Sequence, residues 1–156
     1  MFRLLSGGVM RKVICAAVAA LAATAAHADT GVLVFGKSHH FNTHGRAYNE
    51  LNIGGGAEWS PDGSGWLVGG FALKDSLSRL GAAAYGGYRV RCELGGGFHV
   101  EATLRAGFLK DADYIGPAAL PAIGIGYRNV TVEATYIPAI GGNKVPAAVV
   151  WARINF

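Results

Sequence analysis

AVVWARINF, residues 148–156, is the stretch that decides the fold. Every second residue is apolar: Ala148, Val150, Ala152, Ile154 and Phe156. Between them stand Val149, Trp151, Arg153 and Asn155, a mixed set. Side chains of an extended strand point alternately to its two faces. This segment therefore presents one face suited to lipid or a core, and a second that tolerates charge.

The same period of two recurs upstream. Phe98, Val100, Ala102, Leu104, Ala106 and Phe108 alternate with His99, Glu101, Thr103, Arg105 and Gly107. Val130, Val132, Ala134 and Tyr136 alternate with Asn129, Thr131, Glu133 and Thr135. Less regular segments cover roughly 31–41, 50–60, 64–75, 80–92 and 118–128. Segments of about ten residues with alternating hydrophobicity, separated by turn residues, are the signature of a membrane β-barrel. Eight of them predict an all-β, up-and-down antiparallel barrel over 29–156, ending on an aromatic residue as bacterial outer-membrane barrels do.

An even strand count returns both ends of the barrel to one side, the periplasm. Short turns are expected there at Pro61-Asp62-Gly63, Glu93-Leu94-Gly95-Gly96 and Tyr127-Arg128-Asn129, with outer connections near 42–49, 76–81, 110–117 and 138–144.

The first 28 residues read differently. A basic leader carries Arg3, Arg11 and Lys12, an apolar run follows over 13–26, and Ala26-His27-Ala28 offers a small-residue cleavage site. That is the pattern of a secretory signal peptide. The formal charge is +4, but fourteen bases less these three leaves eleven, against ten acids. The mature part is nearly neutral, and nothing in its charge calls for nucleic acid. Cys15 falls in the leader, so Cys92 stands alone and predicts no internal disulfide. Adjacent His39 and His40 point to opposite faces of an extended chain, a poor chelating pair, and no metal site is expected.

Alternation turns a set of charges inward near the periplasmic turns: Glu58, Arg89, Arg91, His99, Glu101, Arg128, Glu133 and Arg153. Both signs occur, so they can pair. Higher up, the inward candidates are Phe71, Leu73, Gly87, Leu109 and Ile137. A polar floor under apolar walls fits a plainly packed small barrel, or a pocket for a hydrocarbon chain.

Chemistry is concentrated at the outer rim. His39 and His40 end the first strand, with His44 beyond; Asp75 and Ser76 end the third. Both strands run outward, so topology alone brings these groups to one end. A histidine with an acid and a hydroxyl can act as a general base in acyl transfer. The same residues also suit a solvated loop and an Asp-Ser turn.

Several motifs, in order, resemble the PagP-type lipid A palmitoyltransferases over roughly 31–156. Tyr48-Asn49-Glu50 before Gly54-Gly55-Gly56, Leu73-Lys74-Asp75-Ser76, Thr135-Tyr136-Ile137-Pro138, and the closing stretch from Asn143 to Phe156 carry the likeness. The resemblance implies transfer of a palmitoyl chain from a phospholipid to lipid A in the outer membrane. It implies catalytic roles for His40, Asp75 and Ser76, with His39 the alternative base. Lys37 favours His39 by parity unless the strand is bulged. It also matches Gly87 to the glycine that sets acyl-chain length, and Pro121 and Pro138 to prolines flanking a lateral opening. The family's amphipathic N-terminal helix has no counterpart, and Asn52 replaces a proline of a second opening.

The expectation is thus a monomeric acyltransferase needing no cofactor. Its rivals are a lipid A deacylase, for which a His-x-Ser pair on a late strand is missing, and a non-enzymatic barrel.

Overall fold

The computed structural model describes residues 28–43, 45, 47–61, 64–111, 114–139 and 145–156. The expected leader over 1–28, apart from Ala28, lies outside them, as do His44, Asp62, Gly63, Asn143 and Lys144. Eight strands follow in order: β1 (Ala28–His40), β2 (Leu51–Pro61), β3 (Trp66–Lys74), β4 (Leu80–Gly95), β5 (Phe98–Asp111), β6 (Tyr114–Tyr127), β7 (Val130–Ile137) and β8 (Ala147–Asn155). Each pairs antiparallel with the next, and β1 pairs with β8, closing the barrel.

The outward face is apolar all round. Val32, Val68, Val90, Leu104, Ile123, Ile125, Val132 and Val150 are all exposed. Aromatic side chains gather near the end with the short turns, where Trp66 meets Tyr88 edge-on at 5.1 Å and Phe98 meets Tyr127 at 4.8 Å. An apolar band edged by aromatics is what a hydrocarbon slab and its interface select.

Inside, the chain divides into two layers. The lower layer is charged and closely paired. Glu58 accepts from Arg105 Nε at 2.6 Å, from Arg89 and from the Tyr85 hydroxyl at 3.0 Å. Glu133 joins Arg105 Nη1 at 2.8 Å to Arg153 Nε at 2.9 Å. Arg153 also reaches Glu101, and His99 bonds Thr131 at 3.0 Å. Ion pairs this deep survive only because each charge has several partners. The expected inward set holds, with Arg91 at the lower mouth on Glu93 and His99, except for Arg128. Arg128 is exposed in the β6–β7 turn at φ 54°, its guanidinium over the Tyr127 ring at 5.2 Å. A two-residue turn has no inward face, so strand parity does not extend into it. Arg105, which alternates with its apolar neighbours, belongs to the inward set.

Two connections also differ from expectation. β4 continues through Gly95, and the turn falls on Gly96 and Gly97 at φ 61° and 85°. The outer connection expected at 110–117 shrinks to 112–113, because Lys110↔Ile115 and Asp111↔Tyr114 extend the β5–β6 ladder.

Candidate active site

β1 is not a regular strand, and that irregularity builds the site. Leu33 and Phe35 face inward. The register then shifts between Phe35 and Lys37 against both neighbours, β2 and β8. One extra residue reverses parity. Lys37 and His39 turn outward, while Ser38 and His40 turn in, and His40 is only 8% exposed. The bulge sets the two histidines on opposite faces: His40 enters the interior, and His39 forms a surface pair with Glu50 at 3.0 Å.

His40 Nε2 lies 2.9 Å from Ser76 Oγ. Tyr48 stacks on the imidazole, centroids 4.7 Å apart and planes within 14°. Glu50 steadies the strand end from outside, accepting the His40 backbone N–H at 3.2 Å. That bond, and the nearby His39, hold the Glu50 carboxyl below the usual carboxylate range, against the smaller opposing effect of desolvation.

Asp75 is 1% exposed and organises the turn from β3 to β4. Its Oδ1 accepts the backbone N–H groups of Leu77 at 2.8 Å and Arg79 at 2.7 Å, and its own N–H bonds the Arg79 carbonyl. A carboxylate holding its own turn in this way fixes the residue that follows it. Ser76 is therefore presented to His40 by a rigid corner. Asn49 ties the β1–β2 loop to the same corner, through its Nδ2 on the Asp75 carbonyl at 3.0 Å and its N–H on the Ser76 carbonyl at 2.9 Å. Tyr48 and Asn49 are thus parts of the site to which alternation does not point, although both lie in the Tyr48-Asn49-Glu50 motif.

Below His40 and Ser76 opens a cavity of about 670 Å³. Its walls are mostly apolar, including Phe71, Leu73, Leu109, Leu120, Ile137 and Val149, and its lower boundary includes Tyr85, Arg105 and Trp151. Phe71, Leu73, Leu109 and Ile137 stand where alternation put them. Gly87 faces inward but is absent from the lining. It pairs with Leu67 and Arg105, one inward position deeper than Tyr85.

The wall has a slit. β6 and β7 pair only from Ile123↔Ala134 to Tyr127↔Val130. Above that, β6 keeps its β5 partners up to Tyr114, and β7 keeps its β8 partners up to Ile137. Pro121, which has no N–H to give, stands where pairing ends, and its carbonyl takes Thr135 Oγ1 at 2.5 Å. Pro138 lines the cavity at the top of the slit. On the opposite wall β1 and β2 stay joined towards the rim, through Lys37↔Leu51 and the Ser38 N–H on the Glu50 carbonyl at 2.9 Å. There Asn52 bonds the Lys74 carbonyl at 3.0 Å. Among the described residues no cluster of side chains could hold a metal ion.

Residues 25–153 match the family model described as antimicrobial peptide resistance and lipid A acylation protein PagP. Relatives named lipid A acyltransferase PagP, from Bordetella pertussis (strain Tohama I), Bordetella parapertussis and Bordetella bronchiseptica, are each 34% identical over 107 residues. Those alignments cover 63% of this chain and 58% of each relative. With a match over most of its length, an eight-stranded barrel and a histidine–serine contact above an apolar cavity, the chain belongs to the PagP family.

Proposed function

We propose that this protein is an outer-membrane acyltransferase that moves a fatty acyl chain from a phospholipid to lipid A. Residues 1–28 serve as its export leader, and the barrel works as a monomer. The observation that carries the reading is the 2.9 Å contact between His40 and Ser76 at the mouth of an apolar cavity. A reactive pair directly above a slot for a hydrocarbon tail suits a lipid ester, whose tail goes down and whose carbonyl stays at the rim.

The donor phospholipid enters sideways between β6 and β7, its tail passing the unpaired edge beside Pro121 and Pro138. The ester carbonyl stops near Ser76. His40 Nε2 takes the proton of the acceptor hydroxyl as that oxygen attacks the carbonyl carbon. Ser76 Oγ–H donates to the carbonyl oxygen as negative charge develops there. Collapse of the tetrahedral intermediate breaks the old ester bond. The leaving lysophospholipid oxygen receives the proton back from His40. Asp75 is a positioning residue, acting through the corner that presents Ser76. One ester replaces another, so the residues suffice without a cofactor.

The same contact supports a second reading, in which Ser76 Oγ is acylated first and then hands the chain to the acceptor. Intact mass after exposure to donor alone separates the two, because only the second adds one acyl group to the protein.

The test of function is mass spectrometry of lipid A from an outer-membrane host producing this chain, beside His40→Ala and Ser76→Ala at equal folded amounts. A gain of one acyl chain, lost in both variants, is expected. A loss of mass would point to a deacylase. An unchanged lipid A, with folded barrel in the membrane, would favour the passive barrel.

A further inference from the structure

We infer that Tyr85, not Gly87, ends the acyl slot, and that the slot accepts a chain of about twelve carbons in preference to a palmitoyl chain. The inference rests on the acyl-transfer reading for its substrate, but its geometry stands apart from catalysis.

Tyr85 projects inward from β4 with its ring beside Phe71, centroids 6.1 Å apart. Its neighbours across both ladders are glycines, Gly69 on β3 and Gly107 on β5. A Cβ on Gly107 would come within 2.9 Å of the Tyr85 Cβ, and one on Gly69 within 3.1 Å of its ring. Both glycines therefore clear the space in which the ring lies. The hydroxyl then fastens it from below by donating to Glu58 Oε1 at 3.0 Å. Arg105 sits 5.9 Å from the Tyr85 ring and 5.4 Å from the Trp151 ring. Beneath this lid are the Glu58–Arg105 and Arg105–Glu133 ion pairs. A tail pushed past Tyr85 would have to displace a tethered ring and then lie against paired charges, which hydrocarbon cannot solvate.

Depth follows from the strand. Gly81 lies at the rim, where a Cβ would meet Asp75 Cβ at 3.3 Å. Tyr85 is four residues below it. At about 3.3 Å per residue and a tilt near 40°, that is a drop of roughly 10 Å. An all-trans chain, with bonds of ~1.5 Å and angles near ~111°, advances about 1.25 Å per carbon. The slot thus holds about eight carbons below the level of Gly81. Gly81 pairs with Leu73, two residues below the corner at Asp75, and that further rise of roughly 5 Å takes about four more carbons, about twelve in all. A floor at Gly87, two residues deeper, would add about four more by the same geometry.

The test uses the folded full barrel in detergent-free lipid discs, in a Trp59→Phe, Trp66→Phe background that leaves Trp151 as the sole reporter. n-Alkylphosphocholines of 8 to 18 carbons are titrated while Trp151 fluorescence is followed. Affinity is expected to rise roughly fourfold per added carbon and to level off near twelve. Tyr85→Ala is expected to move that plateau up by about four carbons, and Tyr85→Phe, which keeps the ring, to leave it in place. If Tyr85→Ala does not fold, Tyr85→Leu moves the plateau the same way by less. A plateau at sixteen in the unaltered chain, or one that no Tyr85 variant moves, overturns the inference. Transfer assays with mixed-chain phospholipids run in parallel. Absent transfer with a plateau that shifts in Tyr85→Ala rejects the acyl-transfer reading alone, and the Tyr85 floor stands.

Discussion

The lower and upper halves of the barrel interior are made by the same alternation and serve opposite ends. Below, Glu58, Glu101 and Glu133 interleave with Arg89, Arg105 and Arg153, each charge held by two or more others. Above, Phe35, Phe71, Leu73 and Leu120 surround empty space, and the few polar groups are gathered at the rim. A filled, over-determined half can carry an unfilled one. Removing side chains from the upper half creates a binding site without opening a hole through the barrel, because the lower half is already closed by its own pairs.

The largest expected effect breaks the rim of the upper half. His40→Ala or Ser76→Ala should lower the transfer rate by about 10²- to 10⁴-fold, the usual worth of a positioned proton acceptor. The barrel should keep its unfolding midpoint in denaturant within error. A loss of stability matching the loss of activity would make the pair structural instead.

The next effect breaks the lower half. Arg153 is fully buried between Glu101 and Glu133. Arg153→Met leaves two carboxylates short of a partner, and should cost about 3–5 kcal/mol in equilibrium unfolding from lipid vesicles. A companion Arg153→Met, Glu133→Gln variant should recover part of it, since it removes one of the orphaned charges. Equal losses in the two variants would mean that shape, not charge pairing, closes the floor.

The slit gives a sharper, smaller contrast. Pro121→Val restores a backbone donor where β6 and β7 part, and a β-branched residue favours pairing there. Donor phospholipid turnover should fall severalfold while a short soluble ester, which needs no lateral entry, is turned over as before. Equal loss on both substrates would remove the slit from the entry route.

How much of this was legible beforehand depends on which rule governed each residue. Period-two alternation was enough for the faces of β5, β7 and β8, because those strands are regular and one face must be apolar. It was enough for the polar floor as well, apart from Arg128, where the chain leaves the strand. It could not decide between His39 and His40. A bulge changes parity without changing composition, and this one falls on Gly36, a residue with no side chain to mark its face. The β5–β6 connection is shorter than composition suggests, because Lys110, Asp111 and Pro117 look like loop residues yet lie in the ladder. Charges at the rim are solvated at strand ends, and Pro117 is tolerated where β6 has no β7 partner to satisfy. Tyr48, stacked on His40, was out of reach because a loop residue's contact follows from loop path, not from periodicity.

Glu50 tests the outermost layer of the upper half, and there the expected effect is smallest. Its carboxylate accepts the His40 backbone N–H and pairs with His39 on the surface. Since folding depresses its pKa, the stabilisation it brings is present above the ordinary value of 4.5 and fades as pH falls through the lower folded value. The difference in thermal midpoint between the unaltered chain and Glu50→Gln should therefore be small but constant at neutral pH, and should close only below about 4.5. Being exposed, the pair is screened, and added salt should shrink the part that a protonated His39 contributes but not the part from the backbone bond. A difference that persists at pH 3 would mean that the glutamine has disturbed the loop itself. One that vanishes in salt would mean that pairing with a protonated His39, not the fixing of His40, is what Glu50 serves.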